Sequence, residues 1–126
     1  MRKHAPRFGL TLLSLFICLP AQSYELETGP IMICDTQRQA ERVAQVFNGD
    51  FNVTVDAINT EEHNPTACVI ADLGYVQGPE LGMARSGLHT FRIIPILVVA
   101  ANSPTGYRAA EPALFFTVVK VVEYAV

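Results

Sequence analysis

The chain lacks most of the marks by which a sequence announces its chemistry. It has no C-x-x-C, no H-E-x-x-H and no G-x-S-x-G, and its glycines follow neither G-x-G-x-x-G nor P-loop spacing. Those absences remove the usual signatures of thiol–disulfide exchange, zinc peptidases, α/β-hydrolases and nucleotide binding. Charge is scarce as well. Charged residues make up 17% of the 126 positions and hydrophobic residues 50%, which describes a globular chain rather than a disordered one. A net charge of −3 lacks the basic excess that a nucleic-acid partner demands. No period of 20–50 residues repeats. The length suits one domain.

What is present begins with an address. Arg2, Lys3 and Arg7 precede an uncharged, mostly apolar run from Phe8 to Leu19, which Pro20 ends. Ala21-Gln22-Ser23 then sets small residues at the −3 and −1 positions before Tyr24. A positive start, a short apolar run and an A-x-S site are the parts of a secretory signal peptide. A run of about 12 residues is well short of the roughly 20 that a membrane-spanning helix needs. Phe16-Ile17 before Cys18 is too bulky for a lipoprotein site, and no twin Arg is present. The later run from Ile93 to Ala101 is interrupted by Pro95. Cleavage after Ser23 is therefore expected, with residues 24–126 as a single exported domain, periplasmic or secreted. The leader takes three of the nine basic residues with it. Six Lys and Arg then face twelve Asp and Glu, a net charge of −6.

Cys18 leaves with the leader, so Cys34 and Cys68 remain as one pair in an oxidising compartment. No basic cluster lies near either to lower a thiol pKa, so a structural disulfide is expected. Closing a loop of that length should stabilise the fold by roughly 3–4 kcal/mol.

Pro30–Cys34 reads as a short buried strand. Thr36 with Gln39 fits a capping box, and Ala40, Val43, Ala44 and Phe47 form one apolar helical face that Asn48-Gly49 closes. In Phe51–Asn64, alternation of Phe51, Val53, Val55 and Ala57 suits a strand. Phe51, Val55 and Ile58 also share a helical face, and His63-Asn64-Pro65 resembles a helix stop, which favours a short helix over Val53–Glu62. Cys68–Val76 and Phe91–Ala101 read as strands, the second with Pro95 at an edge or bulge. Gly78–Thr90 reads as a hairpin or longer loop, Asn102–Pro112 as a polar turn, and Ala113–Tyr124 as a strand covered on both sides. The expected architecture is α+β: an N-terminal strand and one or two helices packed on an antiparallel sheet of three to four strands.

Few residues could carry chemistry. Glu61-Glu62-His63, with Asp72 and His89, could form an acid–base or metal site. Zinc sites take three or four protein ligands, however, and only His63 and His89 survive loss of the leader. Ser86 and Ser103 lack a nucleophile's surroundings. Asp72, inside an apolar strand, either faces solvent or is buried and paired with a residue such as Arg85 or Arg92, with a perturbed catalytic carboxylate as the sharper alternative. Leu81, Met83 and Leu88, with Tyr75 and Tyr107, could make an exposed apolar patch, although capping of the core is the favoured reading. No metal, cofactor or catalytic residue is assigned, and no binding residue is fixed.

Gly29-Pro30-Ile31-Met32-Ile33-Cys34-Asp35-Thr36 and Glu61-Glu62-His63-Asn64-Pro65-Thr66-Ala67-Cys68, with Pro112-Ala113-Leu114-Phe115-Phe116-Thr117-Val118-Val119-Lys120, resemble a group of short exported bacterial proteins. The resemblance spans nearly all of the chain after the leader. It implies a bacterial origin and agrees with the cysteine pair, but carries no activity. The expectation is a disulfide-stapled periplasmic or secreted binding or interaction module, for which a protein partner is one possibility and none is identified; the alternatives are a small extracytoplasmic enzyme using Glu62, His63, Asp72 or His89, or an oligomeric envelope component.

Overall fold

The structure is a computed structural model that describes residues 24–122. The expected leader and its Ser23 cleavage point lie outside the described residues, as do Glu123 and Tyr124. Seven elements follow in order: β1 (Leu26–Cys34), α1 (Gln37–Val46), α2 (Phe51–Glu61), β2 (Cys68–Gln77), β3 (Gly82–Ser86), β4 (His89–Ser103) and β5 (Gly106–Lys120). The class is α+β with two helices on one antiparallel sheet, and that sheet has five strands where three or four were expected.

Local chemistry explains the helices. Thr36 Oγ1 accepts from Gln39 N at 3.2 Å while Gln39 Oε1 accepts from Thr36 N at 3.0 Å, so the capping box satisfies two otherwise orphan donors. The expected face of α1 is the buried one: Ala40, Val43 and Ala44 are fully covered and Phe47 nearly so. The second helix begins two residues before Val53, because Asp50 caps it by accepting from Asn52 N and Val53 N. It ends as expected before Asn64-Pro65, with Glu62 as the cap.

The strands close on themselves. β1 pairs with β2 from Leu26↔Val76 to Cys34↔Cys68, β2 pairs with β4, β4 pairs with β5, and a single pair, Cys34↔Phe116, joins β5 back to β1. Beside that pair the buried Thr117 hydroxyl donates to Met32 O, a second tie between β5 and β1. β3 lies on the same edge of β4 as β2, at the other end. Pro95 sits between the two stretches. Its carbonyl accepts from Gly78 N at 2.8 Å, so its missing N–H points to the edge where β3 hands over to β2.

One expectation holds here and one gives way. Gly78–Thr90 is a hairpin containing β3, whose turn is Gly87-Leu88 with Gly87 at φ +56°. Asn102–Pro112 is not a polar turn: the turn is only Pro104-Thr105, and Gly106–Pro112 is the first half of β5. That half is exposed on both faces, so its side chains are polar and small although its backbone is paired. The β4–β5 register passes from Val98↔Ala113 to Ala100↔Ala109, leaving Ala110-Glu111-Pro112 as a bulge. Gly74 is required by close packing, since a Cβ there would lie 2.9 Å from Ala100 Cβ.

The apolar residues sort into two cores. Met32, Val43, Phe47, Ile58, Phe91 and Ile93 pack between helices and sheet. Ile33, Leu73, Ile94, Ile96 and Val98 pack inside the curved sheet. Adjacent residues such as Ile93 and Ile94 thus enter different cores, which is why β4 reads as apolar on both faces. The Cys34–Cys68 disulfide, with an S–S distance of 2.07 Å, joins directly opposed strand positions and is wholly buried.

Candidate functional site

The polar residues singled out from the sequence do not converge. Glu61 takes a forked bond from Arg42, with Nη2 at 3.0 Å and Nε at 3.1 Å. The bond holds the Glu61 carboxyl below its usual range and raises the Arg42 guanidinium. Glu62 accepts from Arg38 at 3.2 Å and from Gln39 Nε2 at 2.8 Å. Both glutamates therefore fasten the end of α2 to α1. His89 stands edge-on to Phe47, with ring centres 5.1 Å apart. His63 lies just past α2 with φ +55°, in the left-handed region that favours glycine. No hydrogen bond, ion pair or ring contact links any two of His63, Asp72 and His89.

Asp72 lies on an exposed part of the sheet and pairs with neither Arg85 nor Arg92. Strand register sets Asn102 and Tyr107 beside it: Asn102 Nδ2 donates to Asp72 Oδ2 at 2.9 Å and the Tyr107 hydroxyl donates to Oδ1. Arg92 instead lies 3.9 Å from Glu80. The bond to Asp72 raises the pKa of Tyr107, with burial adding to it. A raised folded-state pKa means that the contribution is whole below the ordinary tyrosine range and is lost as pH rises through the folded value. Asp72→Asn should therefore move the Tyr107 transition to lower pH in a phenolate absorbance titration, with Tyr107→Phe as the reference. An unchanged curve would detach the tyrosine from the aspartate. Tyr75 is also raised, chiefly by burial and then by Glu27, and faces the interior.

The serines are structural. The Ser86 hydroxyl donates to Phe47 O at 2.8 Å, and the Ser103 hydroxyl donates to Gly106 O at 2.6 Å within its turn. Among the described residues no group of three or more His, Cys, Asp or Glu could hold a metal, and no helix is long and apolar enough to cross a membrane.

A shallow cleft of about 490 Å³ at the end of α2 is lined by Asp56, Asn59, Thr60, His63, Asn64 and Pro65. Its polar atoms serve the fold. Asn59 donates to Pro65 O and Cys68 O and accepts from Cys68 N, locking α2 onto the start of β2, and Asn64 Oδ1 accepts from Thr66. The left-handed turn at His63 is held by main-chain bonds, His63 N to Thr60 O at 3.2 Å and Asn64 N to Asn59 O at 3.0 Å, which glycine would keep. His63→Gly should therefore raise stability by up to about 1 kcal/mol, read as the urea midpoint, because glycine adopts that conformation without strain. A fall would mean that the imidazole itself holds the helix end.

A different feature emerges from strand register. Leu26, Val76, Leu97 and Leu114 form one row across β1, β2, β4 and β5. Alternation puts them on the face that carries the helices, but beyond the part that α1 and α2 cover. Leu26 is 61% exposed, Leu97 42% and Leu114 59%. Val76, Leu97 and Leu114, with Tyr24, Pro79 and Pro95, line an apolar groove of about 260 Å³. Of the residues that could make an apolar patch or cap the core, Leu81 and Met83 are exposed, Met83 opposite Arg92 on the other face from Leu97, while Tyr75 points inward and Tyr107 is bound to Asp72. Leu88, 93% exposed at the β3–β4 turn, lies beside His89, Val121 and Val122 instead.

No protein-family model matches the chain, and no curated protein or solved structure matches it either.

Proposed function

We propose that the chain is a small exported interaction module that acts by contact rather than by chemistry. In this reading residues 1–23 direct export and are removed after Ser23, the compartment is periplasmic or extracellular, and the protein belongs with the short exported bacterial proteins it resembles. The observation that carries the reading is the row Leu26–Val76–Leu97–Leu114. Four large apolar residues from four strands lie side by side on the half of the sheet face that the helices leave bare. Contiguous exposed apolar surface is where soluble proteins meet partners. The disulfide and the two cores hold that surface rigid, which lowers the entropy cost of contact.

The test is made in an exporting bacterial host. Mass spectrometry should find a chain that begins at Tyr24 and gains two hydrogens on reduction. A photoreactive side chain at Leu114 should yield a discrete adduct, and the same group at exposed Gln45 should not. Leu97→Asp should abolish the adduct without lowering the melting temperature, since Leu97 is outside both cores. A chain that keeps its leader, or equal adducts from both positions, would sink the proposal. An adduct of this chain with itself would assign the surface to an oligomer instead.

A further inference from the structure

We propose that Asn48 is a site of spontaneous amide-to-acid conversion, to which the fold commits one of its five asparagines. The reaction needs an accessible main-chain nitrogen after the asparagine and a side-chain carbonyl that can take up negative charge. Asn48-Gly49 joins α1 to α2, and both residues are exposed. Gly49, at φ +103°, has no side chain, and nothing lies within 4 Å of where one would stand. The Gly49 nitrogen is therefore open to attack the neighbouring amide. Asn48 Oδ1 already accepts from Asp50 N at 3.1 Å, and the Thr54 hydroxyl, 3.4 Å away, shares its proton between this oxygen and Asp50 O. Two donors aimed at one carbonyl oxygen stabilise the charge that develops there during attack.

The other four asparagines are withheld. Asn59 is held at both ends of its amide by Pro65 and Cys68. Asn64 precedes Pro65, which has no N–H to give up. Asn52 lies in the first turn of α2, where Val53 N is occupied by Asp50. Asn102 is tied to Asp72 inside the β4–β5 ladder.

The step balances with water alone. The Gly49 nitrogen gives its proton to solvent and bonds to Asn48 Cγ; the Cγ–NH₂ bond breaks and ammonia leaves with the proton. The five-membered imide then adds water at one of its two carbonyls. One opening restores the main chain with Asp in place of Asn. The other routes the chain through the side-chain carbon, lengthening the joint between Phe47 and Asp50 by one carbon. Either product adds one negative charge between the helices, next to the Asp50 cap.

The experiment incubates the purified native protein in mildly alkaline buffer and maps peptides by tandem mass spectrometry. Isoaspartate is marked by a carboxyl methyltransferase with labelled S-adenosylmethionine. Asn48 should convert first and leave the other four intact. Thr54→Val should slow it several-fold to about tenfold, the scale of one ordinary hydrogen bond, while Thr54→Ser should keep the native rate. Should Thr54→Val not fold, a comparison of native and urea-unfolded protein decides the matter, with the native chain converting faster at Asn48. Earlier conversion at any other asparagine, a native rate in folded Thr54→Val, or a faster rate in urea would overturn the proposal.

Discussion

Phe91→Ala should cost about 3–5 kcal/mol, the range for removing a large aromatic from a packed core. Phe91 is completely buried at the start of β4. Its ring meets Phe47 edge-on at 5.2 Å and Phe51 at 6.1 Å, so one side chain joins the end of α1, the start of α2 and the sheet. Such ring pairs add about 0.5–1.5 kcal/mol beyond the area they bury. A domain of this size holds about 5–15 kcal/mol in total, so the variant should be marginally folded. Urea unfolding followed by far-ultraviolet dichroism reads the loss. The half-buried Phe51 should lose less on the same change, because its site opens to water rather than leaving a void. A loss below about 1 kcal/mol for Phe91 would mean that its neighbours collapse into the space, contrary to a core packed on three sides.

Replacing both cysteines, Cys34→Ala with Cys68→Ala, should cost a further large fraction, about 2–5 kcal/mol. The bond spans 34 positions, so its loss frees a long loop in the unfolded chain. For a domain near this size each kcal/mol moves the melting temperature by about 4–8 °C, and a drop of roughly 10–40 °C is the expected reading. Burial adds a kinetic signature. Both sulfurs are sealed, with Met32 Sδ 3.5 Å from Cys34 Sγ, so a mild reductant should release no thiols until urea opens the fold. A thiol count with and without urea checks this. Rapid reduction of the native protein would mean that β1 and β2 part readily at their disulfide end.

Legibility from sequence tracked locality. Thr36 and Gln39 make a capping box within four residues, and the face of α1 repeats within eleven, so both could be read directly. The cysteine pair could be read because one pairing is left once Cys18 is assigned to the expected leader. The start of α2 was missed for want of weight on Asp50, whose carboxylate sets the boundary, whereas Phe51, Val53 and Val55 alternate by coincidence. The first half of β5 was missed because polarity reports exposure and not backbone conformation. Small residues hid β3: Gly82 and Ala84 leave room for the helices above them and carry no strand pattern. Asp72 illustrates the hardest class. Its partners are 30 and 35 positions away and depend on two registers and a bulge, so a nearby arginine looked the more natural mate. The same holds for the apolar row, since each leucine taken singly is an ordinary exposed residue.

The one-pair closure of the sheet has a consequence for how fast the protein folds. Each of the β1–β2, β3–β4 and β4–β5 pairings adds a strand to one that is close in the sequence, with at most the two helices between. The pair Cys34↔Phe116 instead brings together positions most of a domain apart, reinforced by the Thr117 hydroxyl on Met32 and by β1 and β5 side chains that meet in both cores. Loop-closure entropy must be met before so distant a contact returns anything, which makes it a natural last event. Refolding with the disulfide intact should therefore be slower than for helical domains of equal length, in the millisecond-to-second range. Thr117→Val should slow the final phase while leaving the early collapse unchanged, because a hydroxyl that bonds across the seam matters only once the ends of the chain have met.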